Sequence, residues 1–222
     1  MNVDVCIMNE LVKKLQKRKF PVLFTSNDLQ KLKFENDILK KYLKEALENN
    51  WIENIYNDIY ILTNEYKKRV CDGNVLAQMI YPDSYLSGSR VLCDYNWILD
   101  GIYAYTSVLK KDSNNDDIKV VTKNYGKFIY YKLYDNISYA GIIKNNYGLG
   151  NFYIAKPLRA LCDLVYELNY EYENIYFFKE DFRIGINKLE SLKKRDFNEL
   201  QGKFNIPLIE NFLNDLRKEL RL

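Results

Sequence analysis

Apolar and polar positions change their spacing several times along the first part of the chain. From about Val3 to Lys19 the apolar residues recur every three or four positions, which predicts an α-helix. The continuous run Val22 to Phe24 predicts a short strand. Thr25 and Ser26 then supply hydroxyl groups that can cap a second helix, predicted from about Asn27 to Lys33. The apolar positions of the first helix are Ile7, Leu11, Val12 and Leu15.

A longer helix is predicted from about Asn36 to Asn49, because apolar residues again recur at helical spacing. After it, Trp51-Ile52 and the run Ile59 to Leu62 flank Tyr56-Asn57-Asp58, a turn signal between two β-prone runs that predicts a hairpin. A strand, two helices and a hairpin in this order, over Val22 to Leu62, predict a winged helix-turn-helix. The apolar positions of the long helix are Ile38, Leu39, Tyr42, Leu43, Ala46 and Leu47.

The remainder of the chain predicts a second domain, which follows a charged connector at Glu65 to Arg69. Short helices are expected around Val75 to Ile80 and over Gly88 to Tyr95, where Ser87 opens the helix. Strands are expected at Tyr103 to Leu109, Ile118 to Thr122, Phe128 to Tyr134, Ile137 to Ile143 and Asn151 to Ala155, and Asn145-Asn146 with Gly148 and Gly150 marks a turn. Later helices are expected at Pro157 to Leu168, Glu180 to Leu189, Arg195 to Gln201 and Pro207 to Leu220.

These elements predict an α+β fold in two domains. The first, residues 1–65, is the winged helix-turn-helix. The second, residues 66–222, is a mixed domain with a mainly antiparallel sheet and a helical C-terminal part. A length of 222 residues is enough for two small domains, each with its own core.

Composition narrows the class of protein. Hydrophobic residues make up 47% of the chain and charged ones 28%, as in ordinary globular proteins. No run of about 18 uncharged apolar residues is present, and the N-terminus lacks a signal-peptide layout, so we expect a cytoplasmic protein without a membrane partner. The four cysteines, Cys6, Cys71, Cys93 and Cys162, are widely spaced and are expected to be free thiols.

The absence of histidine excludes several kinds of catalytic site. A Ser-His or Cys-His nucleophile, an imidazole acid or base, and a His-containing zinc site all require this side chain. An enzyme would have to work through carboxylates, Lys or Tyr. Our leading prediction is a protein with no catalytic residue, no metal ligand and no cofactor.

The long predicted helix contains the candidate DNA-binding residues. With its apolar stripe buried, Lys40, Lys41 and Lys44 project from the opposite face and line the groove of DNA, and Asn36 near the helix start can reach a base edge. From the preceding helix, Thr25, Ser26 and Lys31 are predicted to hold phosphates. One alternative is that these lysines form the ordinary solvated face of a helix. Another is that the unit binds a protein partner, since winged helices also serve as protein-interaction modules.

Charge counts qualify this prediction. Residues 1–65 contain nine Lys and one Arg and ten Asp and Glu, so their net charge is zero. The net charge of +3 comes from the rest of the chain. Because non-specific DNA affinity depends on phosphate neutralisation, a neutral domain binds weakly unless its charges are segregated. Such segregation is expected, with the lysines on one side and Glu48, Glu53 and Asp58 towards the wing.

A second class of function is a winged-helix protein whose C-terminal domain is a Mg²⁺-dependent nuclease. Such sites need an Asp and an Asp/Glu-x-Lys sequence around a metal ion on neighbouring strand ends. Asp83 and Asp117-Ile118-Lys119 provide these residue types, although Ser84 to Ser87, directly after Asp83, is typical of a helix entry.

Two stretches of the C-terminal half resemble the AbiEi family, the antitoxins of type IV toxin–antitoxin (abortive phage infection) systems. The first runs from Tyr81 to Leu92 and includes Tyr85 and Ser87 in the family's tyrosine–hydrophobic–serine order. The second runs from Ile154 to Tyr166 and is similar to the family's Ile-Ala-x-Pro-Glu-Lys-Ala-Leu-x-Asp-Leu helix. Its matching residues are Pro157, Ala160, Leu161 and Asp163.

The resemblance implies a bacterial antitoxin that represses its own operon. Its winged domain would bind inverted repeats in operator DNA upstream of the operon. Its C-terminal domain would oppose a neighbouring nucleotidyltransferase-like toxin without forming a stable complex with it. Two departures matter: Leu158-Arg159 replaces the family's Glu-Lys pair, so acid–base pairing is expected to be lost there, and Asp58 stands where the family wing is basic.

Overall fold

The computed structural model describes residues 8–17, 20–63, 65–66, 71–99, 101, 104–111, 116–134, 136, 138–147 and 150–222. The chain forms two compact units, residues 1–72 and 73–222, here called the N-terminal and C-terminal units. Both contain helices and a β-sheet, so the predicted mixed α+β class is confirmed. Within the described ranges, no helix has the length and apolarity needed to cross a membrane.

The described part of the N-terminal unit has three helices and a three-stranded sheet. In chain order its elements are α1 (Glu10–Leu15), β1 (Leu23–Thr25), α2 (Ser26–Gln30), α3 (Asn36–Glu48), β2 (Ile52–Tyr56) and β3 (Ile59–Leu62). The strand order is β1-β3-β2, and both pairings are antiparallel. Asn57 has a φ of 45° in the turn between β2 and β3, a left-handed conformation that asparagine tolerates better than most residues.

One apolar core holds the N-terminal unit together. Phe24 on β1, Ala46 on α3 and Trp51 before β2 are buried in it with residues of α1 and α2. Burying aromatic side chains of this size is a large favourable term for so small a unit. The buried members from the other elements are Leu11, Val12, Leu15, Leu29, Ile52 and Leu62.

Two predictions for this unit need correction. A continuous helix from Val3 is wrong, because Asn9 is extended (φ −68°, ψ 167°) and its side chain caps a helix that begins at Glu10. Ile7 and the rest of residues 1–7, like Arg18 and Lys19, lie outside the described residues. In α3 the apolar stripe is only partly covered, since Ile38 is 40% exposed and Ala46 is its fully buried residue.

The C-terminal unit has a six-stranded mixed sheet and seven helices within its described residues. Its elements are α4 (Gly73–Ile80), β4 (Tyr85–Leu86), α5 (Gly88–Asp94), β5 (Ala104–Lys110), β6 (Ile118–Thr122), β7 (Gly126–Tyr134), β8 (Ile142–Tyr147), β9 (Gly150–Ala155), α6 (Pro157–Glu167), α7 (Tyr176–Asp181), α8 (Ile186–Glu190), α9 (Lys194–Leu200) and α10 (Pro207–Glu219). The strand order is β6-β7-β5-β4-β9-β8, with β5–β7 and β4–β9 parallel and the other pairings antiparallel.

Helices cover both faces of this sheet. Tyr85 and Leu86 on β4 point to opposite faces, as successive strand residues do. Leu86 pairs with Ser107 on β5, and Ser107 pairs with Tyr130 on β7, so the three side chains share one face. On that face the Tyr130 hydroxyl donates to the Ala77 carbonyl of α4. Tyr85 points to the other face, where its hydroxyl contacts α6. Helices α9 and α10 pack on α6.

Three predictions for the C-terminal unit are wrong. Tyr85–Leu86 is a strand in the middle of the sheet, not a helix entry. The strand predicted from Ile137 begins only at Ile142, because Gly141 takes a left-handed φ of 71° just before it. Of the residues predicted to mark the next turn, Asn145 and Asn146 lie in β8 and Gly150 begins β9, and Gly148 lies outside the described residues. The single helix over Glu180 to Leu189 is two helices, separated at Arg183 (φ 53°).

Candidate functional site

Helix α3 presents its lysines to solvent. Lys40, Lys41 and Lys44 are all exposed, and within the described residues Lys40 and Lys41 form no ion pair. Lys44 Nζ lies 3.8 Å from Glu48 Oε1, one turn further along the helix. An exposed pair of this kind contributes a few tenths of a kcal/mol, about 0.3–0.5. The three ammonium groups are therefore available to an anionic partner.

Thr25 and Lys31, which flank α2, both bind Asp28 within that helix. The Thr25 hydroxyl accepts from the backbone N–H of Asp28, and the Asp28 carboxylate accepts from the Thr25 backbone N–H, which forms a capping box. Lys31 Nζ lies 2.6 Å from Asp28 Oδ1, and this hydrogen bond lowers the pKa of the carboxyl below its ordinary value. The predicted phosphate contacts of Thr25 and Lys31 therefore compete with Asp28.

Ser26 binds the turn of the β2–β3 hairpin. Its backbone N–H donates to Asp58 Oδ2 at 3.1 Å, and its hydroxyl donates to Asp58 Oδ1. The two residues lie 32 positions apart in sequence. The Asp58 carboxylate, which would repel a phosphate, thus accepts both hydrogen bonds that Ser26 donates at the start of α2. Ser26 is therefore not a free phosphate ligand.

The candidate DNA-binding residues fall into three places. Ser26, Asn36 and Lys40 line one groove between α2 and α3, with a volume of about 310 Å³. Lys41 and Lys44 lie on the outward face of α3, because they are rotated around the helix by about 140° and about 80° from Asn36, whereas Lys40 is rotated by about 40°. Thr25 and Lys31 are held by Asp28, as described above.

The two stretches that resemble AbiEi meet in the C-terminal unit around Asp163. Tyr85 Oη and Ser87 Oγ donate to Asp163 Oδ2 at 2.9 and 2.6 Å, although they lie 78 and 76 positions away in sequence. Tyr134 Oη, from β7, donates to Oδ1 at 2.6 Å. One buried carboxylate therefore connects β4, the cap of α5, β7 and α6. We call this set, with Arg159, the Asp163 cluster.

Arg159 supplies the positive charge of the Asp163 cluster. Its side chain is 0% exposed, and its Nε donates to Asp163 Oδ1 at 3.0 Å. Nη2 donates to Tyr85 Oη at 2.7 Å, and Nη1 donates to the carbonyls of Ser138 and Ala140. Leu158 carries no charge, and Arg159 pairs instead with Asp163, one turn further along α6.

The other matching residues of the second stretch have structural roles. Pro157 occupies the first turn of α6, where its missing N–H costs no hydrogen bond. Ala160 and Leu161 are completely buried on the same helix. The resemblance thus falls on residues that fix α6 in the core and on the polar cluster that it contains.

The chemistry of the Asp163 cluster is that of a structural ion pair. Burial, and then the Asp163 charge, raise the pKa of Tyr85 and of Tyr134 well above the ordinary value of a tyrosine. Both phenols therefore stay protonated and act as hydrogen-bond donors at neutral pH. All the strong donors of Arg159 that the structure describes point at acceptors of the protein, as a buried charge requires.

The C-terminal unit is expected to lose stability above about pH 10, the ordinary pKa of an unfolded tyrosine. Unfolded tyrosines lose their protons there while folded Tyr85 and Tyr134 keep theirs, so the unfolded state binds fewer protons and stability falls as pH rises. Urea midpoints measured from about pH 8 to about pH 11 test this. Tyr134→Phe should start lower and fall less steeply; parallel curves for the two proteins would contradict the assignment.

The carboxylates of the nuclease hypothesis are not neighbours. Asp83 precedes β4 and Asp117 precedes β6, and β5 and β7 lie between these strands. Three strand spacings amount to about 14 Å, too far for a shared metal ion. Among the described residues, no three His, Cys, Asp or Glu side chains form a group suited to a metal.

Neither a protein-family model nor a curated protein matches the chain. Functional inference therefore depends on the geometry described above and on the motif resemblance.

Sequence reasoning missed two residues of the Asp163 cluster, Arg159 and Tyr134. For Arg159 a signal was present, because Arg159 and Asp163 are spaced i, i+4 within an otherwise apolar helix, where opposite charges meet. For Tyr134 none was available. Strand alternation from Tyr130 places it on the α4 face, and only a register shift between β5 and β7 at Leu109/Lys110 turns it towards α6.

Proposed function

We propose that the N-terminal unit is a winged helix-turn-helix that binds DNA, and that the protein is the antitoxin of a type IV toxin–antitoxin system and the transcriptional autorepressor of its own operon. The observation that supports DNA binding best is the exposed lysine face of α3, which follows α2 in the order of a helix-turn-helix. In this proposal the protein acts in the cytoplasm, where its operon lies.

The arrangement of the sheet supports the winged form of this motif. The strand between α1 and α2 pairs with the last strand of the hairpin, and the hairpin follows α3 directly. This leaves α2 and α3 side by side on the unit, with the apolar side of α3 against the core and its polar side in solvent. A helix held in this way has a rigid back and free donors, which entry into the major groove requires.

The hairpin tip contributes to DNA binding indirectly. Asp58 carries no donor for phosphate, and its carboxylate is bound to Ser26. The tip therefore fixes the start of α2 relative to the hairpin, and we assign the DNA contacts to α3 and to the groove beside it.

The antitoxin role is inferred from the resemblance to AbiEi. The Asp163 cluster supports this inference, because the residues that match the two motif stretches hydrogen-bond to each other across the C-terminal unit. Residues that form one structural feature are expected to recur together in proteins of one fold. The functional partner would be a nucleotidyltransferase-like toxin that is opposed without a stable complex.

A nuclease in the C-terminal unit is less well supported, because Asp83 and Asp117 lie apart in the sheet. A protein-interaction module without DNA binding is the alternative that experiment has to separate, since the same architecture serves both purposes.

Binding of the full chain to a fluorescent duplex from the region upstream of its operon tests the proposal. We expect tighter binding to this duplex than to a shuffled one of equal length, and a negative log–log salt slope to which each phosphate-contacting lysine contributes about −1. Equal, salt-independent anisotropy for both duplexes would reject DNA binding and favour the interaction module.

The antitoxin role has a separate test in cells. Co-expression of the full chain with the nucleotidyltransferase-like toxin of the neighbouring gene should restore growth. Growth arrest despite soluble expression of both proteins would reject this half of the proposal and leave DNA binding untouched.

A further inference from the structure

The groove between α2 and α3 has an apolar floor and a polar rim. Leu29 from α2 and Leu39 and Leu43 from α3 form the floor. Gln30, Asn36 and Lys40 stand at the rim, and Ser26 closes the end that faces the hairpin turn. With a volume of about 310 Å³, the groove can hold a group the size of a nucleotide sugar with its phosphate.

Among the described residues that line this groove, none carries a carboxylate. Its rim side chains are one ammonium and two amides, all three exposed, and within the described residues these side chains make no hydrogen bond or ion pair. The outward face of α3 differs, because Asp37 and Glu48 are exposed there beside Lys41 and Lys44. On the groove side of α3, Lys40 therefore has no carboxylate beside it among the lining residues that the structure describes, whereas Lys44 on the outward face has Glu48.

From this segregation we infer that the groove binds the sugar–phosphate backbone of one DNA strand, with the phosphate held by Lys40, Gln30 and Asn36 and the deoxyribose over the leucines. This inference rests on the proposed DNA-binding function and makes Gln30 a contact residue. The Asp58 carboxylate, bound to Ser26, lies at the far end of the groove and directs the phosphate towards Lys40.

The placement has a consequence for the rest of α3. Asn36 and Lys40 are four residues apart and lie on the groove side of the helix, whereas Lys41 is rotated by about 100° from Lys40. With one backbone fixed in the groove, Lys41 and Lys44 face the interior of the major groove or the opposite strand. Their contribution to non-specific affinity is then smaller than that of Lys40.

Single lysine substitutions in the full chain test the inference. Lys40→Gln should weaken binding to operator and shuffled duplexes alike, by about tenfold at moderate salt, and reduce the salt slope by about one. Lys41→Gln removes the same charge from the same helix and should cost less than about threefold. Equal losses for the two variants, or a larger loss for Lys41→Gln, would overturn the groove assignment while DNA binding itself stands.

A charge-introducing pair tests the new contact residue. Gln30→Glu places a carboxylate at the rim and should weaken binding by about tenfold, whereas Asn27→Asp adds the same charge to α2 outside the groove lining and should weaken it less. Far-UV circular dichroism verifies that each variant is folded. If both changes weaken binding equally, negative charge anywhere on α2 weakens binding and the groove assignment is wrong. If the wild-type protein binds no duplex, the proposed DNA-binding function is wrong, and the groove assignment falls with it.

Discussion

Replacing Asp163 by Ala is expected to destabilise the C-terminal unit by about 3–5 kcal/mol, the cost of leaving a buried charge without its partner. The substitution removes the acceptor of the Arg159 guanidinium and of the Tyr85, Ser87 and Tyr134 hydroxyls. Water does not reach these groups, because Arg159 is 0% exposed and Asp163 is 1% exposed. Each orphaned donor adds a desolvation penalty of its own.

Urea unfolding of the full chain, followed by circular dichroism and by hydrogen exchange in the α6 peptides, measures this loss and assigns it to the C-terminal unit. Glu199→Ala is the matched control, because it removes a carboxylate that pairs with Lys156 at 2.8 Å but is partly exposed. The control should cost about 1 kcal/mol or less. Losses of similar size for the two variants would show that the Asp163 cluster is not the structural centre of this unit.

The cluster can also be removed as a pair. Because buried ion pairs often stabilise a protein no better than apolar residues of similar volume, Arg159→Met with Asp163→Leu should cost less than the sum of the single substitutions. If the losses of stability in the two single variants add up to the loss in the double variant, the guanidinium and the carboxylate act independently. Such a result would contradict their 3.0 Å contact.

Simultaneous Lys40→Gln, Lys41→Gln and Lys44→Gln substitution is expected to lower affinity for operator DNA by roughly 30- to 100-fold at moderate salt. Each lysine that neutralises a phosphate releases a counterion, so the log–log salt slope should fall by about one through Lys40 and by less through each of Lys41 and Lys44. The side chains are exposed, and the change to glutamine keeps helix propensity, so the fold is expected to persist. Fluorescence anisotropy from low to physiological salt measures both quantities.

A charge-matched control comes from the C-terminal unit, where Lys194, Lys203 and Lys218 are exposed. Glutamine at these three positions changes the net charge by the same amount and should leave the salt slope close to that of the wild type. If the control weakens binding as much as the α3 variant, the protein attracts DNA through its overall charge. If neither variant changes the slope, the lysines of α3 do not contact phosphate.

Most helices and the regular strands could be predicted from the sequence, because local patterns determine them. Strand β6 has the predicted limits Ile118–Thr122, and α5 follows Ser87 as expected. Helices α6 and α10 begin at Pro157 and Pro207, the residues that predict their first turns. Capping and periodicity act within a few residues, so the sequence displays them directly.

The two-residue strand β4 was beyond such prediction. It is too short to show alternation, and it is a strand only because β5 and β9 provide hydrogen-bond partners on its two sides. The break before β8 depends similarly on Gly141, whose missing Cβ makes room for Leu200 and Arg159. Both features come from neighbours that are distant in sequence.

The candidate DNA interface shows the same limit. The sequence identifies Thr25 and Ser26 at the start of a short helix and Lys31 at its end, but not that Asp28 and Asp58 occupy their donors. The Ser26–Asp58 contact depends on how the hairpin folds back onto α2, which is a property of the whole unit.

The sequence by itself determined the order of the helices, the mixed α+β class, the exposed lysines of α3 and the absence of imidazole chemistry, because these follow from residue type and local spacing. Only the tertiary structure decided that Tyr85, Ser87, Tyr134, Arg159 and Asp163 form one buried cluster, and that α2 and α3 enclose a groove free of carboxylates. The physical reason is register: sheet pairing and one bulge decide which side chains meet, and short-range patterns do not specify either.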